Sequence, residues 1–420
     1  MSALWRSRFL WLLIPCIVGL LVFFSFQTHT DDSIVLDQPF AVASPSAPVA
    51  PNATELDGSS LPKILLVTAF FPLSKSKHTM ADYEWWLSQF LQHITTDIYF
   101  FAPPEMESMI RKCRGDLPIT VNTTYSSPFG IAPLNMYQDH YQKMHQQDRE
   151  RFRHSPELYA VWNAKPFFLD EGVRNLLRVG QAYDYAFWND AGSFRSTHKY
   201  TQWPDPRRVQ ELWQEGSTLS GMNTADLLFF PIAGVPHPTM RYWVQDHGPV
   251  DTEFSEGADL FSKFTQSIYS LAGSFFGGSP STVAWWRYTF YAYHDHYLNL
   301  DLFVGKDQTL INAIFLLFPS RVIAVWIDDP DAPAHKGILP VVDDSSLGNC
   351  GGDWFYYQFW LATPSERQSM REIWASNARW SWAWWRERQE CRVTRISSIK
   401  DLLKRRFGDD WEPPLHTIDA

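Results

Sequence analysis

Two aspartates, a lysine and an arginine have the types and spacing to handle a charged ligand. Asp190 ends the aromatic run Tyr185-Ala186-Phe187-Trp188-Asn189 and is followed by Ala191-Gly192-Ser193. Residues 185–188 are too few for a helix and read as a buried strand. A carboxylate at the carboxyl end of a strand, followed by small residues, sits where open α/β sheets bind ligands. The same Asn-Asp-Ala-Gly composition also serves a plain turn. Lys165 and Pro166 stand just before an apolar helix predicted over residues 167–179. A cation beside a helix amino terminus favours an anion there. Arg195, a short step beyond Asp190, reaches the same anion if it is a phosphate. Asp307 stands before a helix predicted over 309–318, where the dipole favours a carboxylate, so capping and catalysis both explain it. Gly277 and Gly278 lie in a strand end and glycine-rich turn, residues 273–280, and would let a backbone approach a ligand closely.

These groups need a scaffold, and the preceding residues supply one. Residues 63–70 read as a buried strand opened by Pro62, residues 80–93 as an amphipathic helix, and residues 97–101 as a second strand ended by Pro103 and Pro104. A short helix closing at Ile110 and a strand at 119–121 follow. This β-loop-α-β order predicts a parallel sheet with helices on its faces. Residues 125–156 are polar and irregular, with a helix expected over 135–152. Helices at 204–214 and 281–293 and strands at 227–232 and 321–326 complete the expected domain. His294-Asp295-His296 reads as a surface helix terminus in preference to a metal site. The tail from Pro364 is expected to be helical, with Ile373, Trp374, Trp380, Trp384 and Trp385 forming an aromatic face against the sheet.

The chain ends differ from this core. Residues 9–26 are uncharged and apolar, at the short end of the roughly 17–25 residues that span a bilayer. Arg6 and Arg8 precede the run and Asp31 and Asp32 follow it, so residues 1–8 are expected in the cytosol and the bulk of the chain in a lumen. The run is longer than the h-region of a cleaved signal peptide, which favours a signal-anchor. Residues 27–62 are rich in Pro, Ser, Ala and Thr and read as a flexible stem. Asn52 and Asn122 begin glycosylation sequons. Beyond Cys16 in the span, Cys113, Cys350 and Cys391 allow one disulfide, with three choices of pair. A net charge of −10 argues against a nucleic-acid partner. The 20 Trp, 17 Tyr and 30 Phe suit stacking on sugars, although most are expected in the core.

Three pieces occur in one order: Trp162-Asn163-Ala164-Lys165-Pro166, then Tyr185 to Gly192, then Gly277-Gly278 leading to Asp307-Gln308. Together they resemble the HtrL/YibB-type family, placed with the nucleotide-diphospho-sugar transferases of GT-A fold. The resemblance runs from about residue 63 to residue 326. It implies an α/β domain, residues 63–420, with a mostly parallel central sheet flanked by helices. It also implies a nucleotide-sugar donor and a glycan or glycoconjugate acceptor, while the short span suits the thinner membranes of the early secretory pathway, hence a Golgi or ER membrane location. In GT-A enzymes a strand-end Asp-x-Asp motif holds a divalent cation on the donor phosphates. Here the strand end is Asn189-Asp190-Ala191-Gly192, without the second aspartate. Asp190 is then the Mn²⁺ or Mg²⁺ ligand, and His335, in the acidic loop 328–344, resembles the late histidine that closes such sites.

On this reading Lys165, Arg195 and the cation on Asp190 meet charge on a departing diphosphate. Thr68 and the loop after it face the nucleoside. Asp307 is the base or positions the acceptor. Two other classes compete. A glycoside hydrolase would use Asp190 and Asp307 as its carboxylate pair. A non-catalytic carbohydrate-binding or scaffold protein would keep the fold without the chemistry.

Overall fold

The structure, a computed structural model, describes residues 61–76, 78–232, 234–250, 273–326, 329, 356–378 and 394–418. All of them belong to the unit Ser60–Ala420. Among them no helix is long and apolar enough to cross a membrane. The expected anchor at 9–26, the stem up to residue 60, Asn52, His335, Trp380, Trp384 and Trp385 lie outside the described residues, as do Cys350 and Cys391.

The amino-terminal half builds itself from strong local signals. Strand β1, Ile64–Ala69, is apolar but for Thr68 and buried throughout. Helix α1, Met80–His93, starts at a reciprocal cap. Thr79 Oγ1 accepts from the Asp82 amide at 3.2 Å, and Asp82 Oδ2 accepts from the Thr79 amide at 2.9 Å. Strand β2, Asp97–Phe101, helix α2, Glu107–Arg114, and strand β3, Thr120–Asn122, follow. Three helices then cross back: α3, Gln138–Met144, α4, Pro156–Asn163, and α5, Lys165–Arg178. They deliver the chain to β4, Tyr185–Asn189, on the other side of β1.

The second half adds α6, Pro206–Ser220, β5, Leu228–Ile232, β6, Phe275–Gly278, α7, Pro280–Asn299, α8, Asp307–Leu317, and β7, Val322–Trp326. After β7 come α9, Tyr356–Trp360, α10, Pro364–Ala378, β8, Ile396–Ser398, and α11, Ile399–Phe407. The sheet order is β3-β2-β1-β4-β6-β5-β7-β8. The β4–β6, β5–β6 and β7–β8 pairings are antiparallel and the others parallel, so the sheet is mostly parallel as expected.

Alternate strand residues feed two cores. Leu65, Val67, Ala186 and Trp188 pack with apolar residues of α4, α5, α7, α8 and α11. Ile64, Leu66, Phe187 and Phe229 pack with those of α1, α2 and α6. The chain leaves β1 toward β2 with its helices on one face, then returns to β4 with its helices on the other. The reversal point therefore lies between β1 and β4, and ligands of open α/β sheets bind outside the carboxyl ends of strands at such a point.

Several expected elements differ. In the stretch read as a strand end and glycine-rich turn, strand β6 takes in Gly277 and Gly278, which therefore lie in the sheet and not in the turn. A Cβ at Gly277 would stand 2.7 Å from the Phe187 Cα, and one at Gly278 would stand 2.6 Å from the Leu227 carbonyl oxygen. The close approach these glycines permit is to neighbouring strands, not to a ligand. The helix expected over 135–152 is confined to α3 and a 3₁₀ turn, His145–Gln147. The carboxyl tail contributes an edge strand, β8, that its aromatic pattern did not announce. Cys113 is a buried free thiol, so the disulfide choices that use it are not realised.

Candidate functional site

Three chain segments converge at the β1–β4 reversal point. Asp190 is the first residue past β4, and its amide donates to the Ser274 carbonyl at 2.9 Å. Lys165 is the first residue of α5 and Asp307 the first of α8. Lys165 Nζ lies 3.3 Å from Asp190 Oδ1 and 3.0 Å from Asp307 Oδ2, and donates to the Gly273 carbonyl at 2.8 Å. Thus residues far apart in sequence form one carboxylate–ammonium–carboxylate cluster.

The three groups differ in access. The side chains of Lys165 and Asp307 are 5% and 2% exposed, whereas that of Asp190 is 37% exposed. Burial alone would discharge the lysine, but Asp190 and Asp307 outweigh it and hold the ammonium above the usual lysine range. Burial pushes the Asp307 carboxyl up, against the pull of Lys165. Asp307 Oδ1 also accepts from the Gln308 amide at 3.0 Å, the local bond of a carboxylate at a helix start. Gly273 is required here: a Cβ on it would stand 2.5 Å from Asp307 Oδ2 and 3.3 Å from Lys165 Nζ.

Asp190 is aimed by a neighbour that motif reading passed over. The Trp188 indole N–H donates to Asp190 Oδ1 at 2.7 Å. The spacing held that signal, because residues two apart at a strand end share a side. Behind them, buried Asn189 accepts from Ser193 Oγ at 3.1 Å and fixes the turn. Arg195 stands over the Trp86 ring at 4.5 Å, and its Nε donates to the Gly192 carbonyl at 2.9 Å. Its guanidinium feels the Asp190 charge. Arg195 thus belongs to the rim of this site.

Other expected members sit elsewhere. Thr68 lies within β1, fully buried, and its hydroxyl has no hydrogen-bond partner among the described residues. It cannot face a nucleoside, because the strand continues past it to Ala69. Gly277 and Gly278 are fully inside the sheet. Lys165 is not a spare cation for a phosphate, since its charge is already met by two carboxylates. Asp307 is too enclosed to meet an acceptor hydroxyl as a base; its place is behind Lys165. Asn122 is half-buried, and its Nδ2, the atom a glycan would take, donates to Tyr99 Oη at 2.9 Å. His294, read as part of a surface terminus, is fully buried and hydrogen-bonded to Tyr141 Oη at 2.6 Å.

Among the described residues no group of three or more His, Cys, Asp or Glu side chains could hold a metal ion. Asp190 offers one partly open carboxylate, with Oδ1 shared between Trp188 and Lys165. That fits the mode in which a hard divalent cation takes one or two carboxylates and completes its shell with substrate phosphates. Among the described residues no second carboxylate is free beside it to hold the cation by protein alone.

No protein-family model and no curated protein matches this chain. Among solved structures, mouse xyloside xylosyltransferase 1 in its apo form is similar at 8% identity and a TM-score of 0.33, covering 62% of this chain and 84% of that one. Core-mannan synthase A from Aspergillus fumigatus, in a Mn/GDP form, is similar at 11% identity and a TM-score of 0.34, covering 70% of this chain and 80% of that one. Likeness at this level leaves function to be argued from the residues themselves.

Proposed function

We propose that the chain is a nucleotide-sugar-dependent glycosyltransferase of the HtrL/YibB kind. On this reading residues 9–26 anchor it in a Golgi or ER membrane, and residues 63–420 work in the lumen on a glycan or glycoconjugate. The observation that carries the proposal is the half-open Asp190 carboxylate at the sheet's reversal point, clamped by Trp188 and by a lysine that Asp307 holds in place.

Each group then has a task. Asp190 presents oriented negative charge at the rim. A divalent cation, when bound there with the donor, neutralises charge on the diphosphate leaving group. Arg195, fixed on Trp86, lies close enough to Asp190 to meet the same diphosphate. Lys165 keeps Asp190 from swinging, and its buried surroundings keep that bond strong. Asp307 is a positioning residue that acts through Lys165. Because these groups are preorganised, little reorganisation is left to the moment of bond cleavage.

The hydrolase reading weakens on the same geometry. A glycosidase needs its two carboxyls on either side of the scissile bond, about 5–5.5 Å or about 6.5–9.5 Å apart. Here the Lys165 ammonium occupies the space between Asp190 and Asp307, and one of the two is sealed from substrate.

Calorimetry on the full chain in detergent, with UDP and GDP and with or without Mn²⁺, tests the proposal. Binding that needs Mn²⁺ and weakens about ten- to hundredfold in Asp190→Asn is expected. Absence of nucleotide binding under every metal condition overturns it.

A further inference from the structure

A second site lies on the same rim and is built from different chemistry. A cavity of about 320 Å³ opens beyond the carboxyl ends of β1, β2 and β3. Phe71, Pro103 and Ser127, each shortly past one of those strands, contribute to its wall, together with Phe129, Glu105 and Glu157. Asp190 stands past β4 on this edge of the sheet, but the cavity does not include the charged cluster. An aromatic stack joins the two. The Phe71 ring is 5.9 Å from Phe168, and Phe168 is 6.2 Å from Trp188, both pairs stacked. Trp188 in turn binds Asp190. The cavity wall is therefore two ring contacts from the indole that aims the carboxylate.

Its lining decides what it can hold. No lysine, arginine or histidine lines it among the described residues. A phosphate, sulfate or carboxylate would instead meet the like charge of Glu105 and Glu157 there. Two carboxylates, Glu105 and Glu157, serve as acceptors for hydroxyl groups. Ser74 Oγ already donates to Glu157 Oε2 at 2.9 Å, which shows that carboxylate accepting a hydroxyl. Half-buried Phe129 adds apolar ring surface, with Phe71 packed into the core behind the wall. Hydroxyl acceptors beside aromatic rings, in a cavity at the small end of the ligand range, suit a sugar with polar edges and C–H faces. We propose that this cavity is an acceptor subsite for an uncharged saccharide. The inference rests on the transferase reading and adds the acceptor's class: a neutral, hydroxyl-rich glycan rather than a phosphorylated, sulfated or uronate-bearing one.

The test uses the full chain in detergent and an array of neutral, sulfated and uronate-bearing oligosaccharides, with UDP and GDP binding measured in parallel. Neutral members should bind and anionic ones should not. Ser127→Trp, which fills the cavity from an exposed position, should abolish glycan binding and leave nucleotide affinity within about twofold. Glu157→Gln, a milder change, should weaken neutral-glycan binding about tenfold by removing a charged acceptor. Equal binding of anionic glycans overturns the proposal, as does binding of no glycan at all. Loss of nucleotide affinity in Ser127→Trp also overturns it, since the cavity would then hold the nucleoside. Glycan binding without nucleotide binding would instead leave the saccharide site standing and sink the transferase reading.

Discussion

The two ends of one sheet rim solve opposite problems. Past β4, charge is packed inward: Lys165 and Asp307 are buried and form an ion pair at 3.0 Å, with Asp190 and the Gly273 carbonyl completing the lysine's surroundings. Past β1, β2 and β3, Glu105 is exposed and no cation lines the cavity with it among the described residues. The first arrangement is rigid because every member is needed to pay the others' desolvation. The second stays solvated and asks nothing of its neighbours. Damage at the β4 end should therefore cost both stability and ligand binding, whereas damage at the other end should cost recognition alone.

Lys165→Met strikes that comparison hardest. It leaves Asp307 buried without a counter-charge, and the Gly273 carbonyl without its donor. Removing one partner of a buried pair costs about 3–5 kcal/mol. Urea denaturation should show a loss of that size, and nucleotide binding should vanish with it. Adding Asp307→Asn to Lys165→Met should recover part of the loss, because the orphaned charge is gone. A Lys165→Met chain as stable as the parent would mean the cluster is not a buried pair in solution.

His198 offers a contrast with Lys165: it is buried, and both its ring nitrogens bond backbone groups rather than a carboxylate. Its Nδ1 accepts from the Tyr200 amide at 3.1 Å, and Nε2 donates to the Gln89 carbonyl at 3.0 Å, so the neutral ring is the one that fits. Burial holds its pKa down at about 4, and nearby His93 adds to that. In the unfolded chain it protonates near 6.5. The unfolded state then binds more protons below that value. Stability should fall as the pH drops from about 6.5 toward 4, by on the order of 3 kcal/mol at the lower limit. The Lys165 ammonium has the reverse sign: its raised pKa contributes stability that disappears only at the alkaline end. Urea midpoints measured between about pH 7 and pH 4.5 should show the acid slope, and His198→Gln should flatten it.

Gly273→Ala probes the cluster without removing a charge. The new Cβ would meet Asp307 Oδ2 at 2.5 Å, so the carboxylate must shift away from Lys165. Overpacking of this kind costs about 1–3 kcal/mol. Thermal denaturation should register it, with weaker nucleotide binding as the Asp190–Lys165 geometry loosens.

Local signals carried much of the amino-terminal half. Helix α1 and strand β2 occupy the predicted residues because a capping pair starts one and two prolines follow the other. The convergence of Asp190, Lys165 and Asp307 was also expected, since each stands at an element end that a parallel sheet brings to one rim. Their division of labour was not legible. Nothing in the spacing shows that Lys165 faces two carboxylates, because that depends on how α5 and α8 pack. That Gly277 and Gly278 belong to strand β6 rather than to the turn was not legible for a related reason: glycine is a poor strand former in isolation, and its value at Gly277 comes from the crowding of β4. Helix α4 was not anticipated, although Ser155 caps the Leu158 amide and Pro156 stands in its first turn.

The smallest expected effect is the sharpest test of the contrast. Ser127 is exposed and leads a 3₁₀ turn, Pro128–Gly130, with no side-chain capping bond of its own. Its replacement by Trp therefore breaks no capping bond. Surface changes of that sort fall within about 0.5 kcal/mol. A melting temperature that stays put while glycan binding is lost would separate recognition from folding at this end of the rim. A drop comparable to that of Gly273→Ala would mean the cavity is part of the packing after all, and the two ends of the rim would no longer be different in kind.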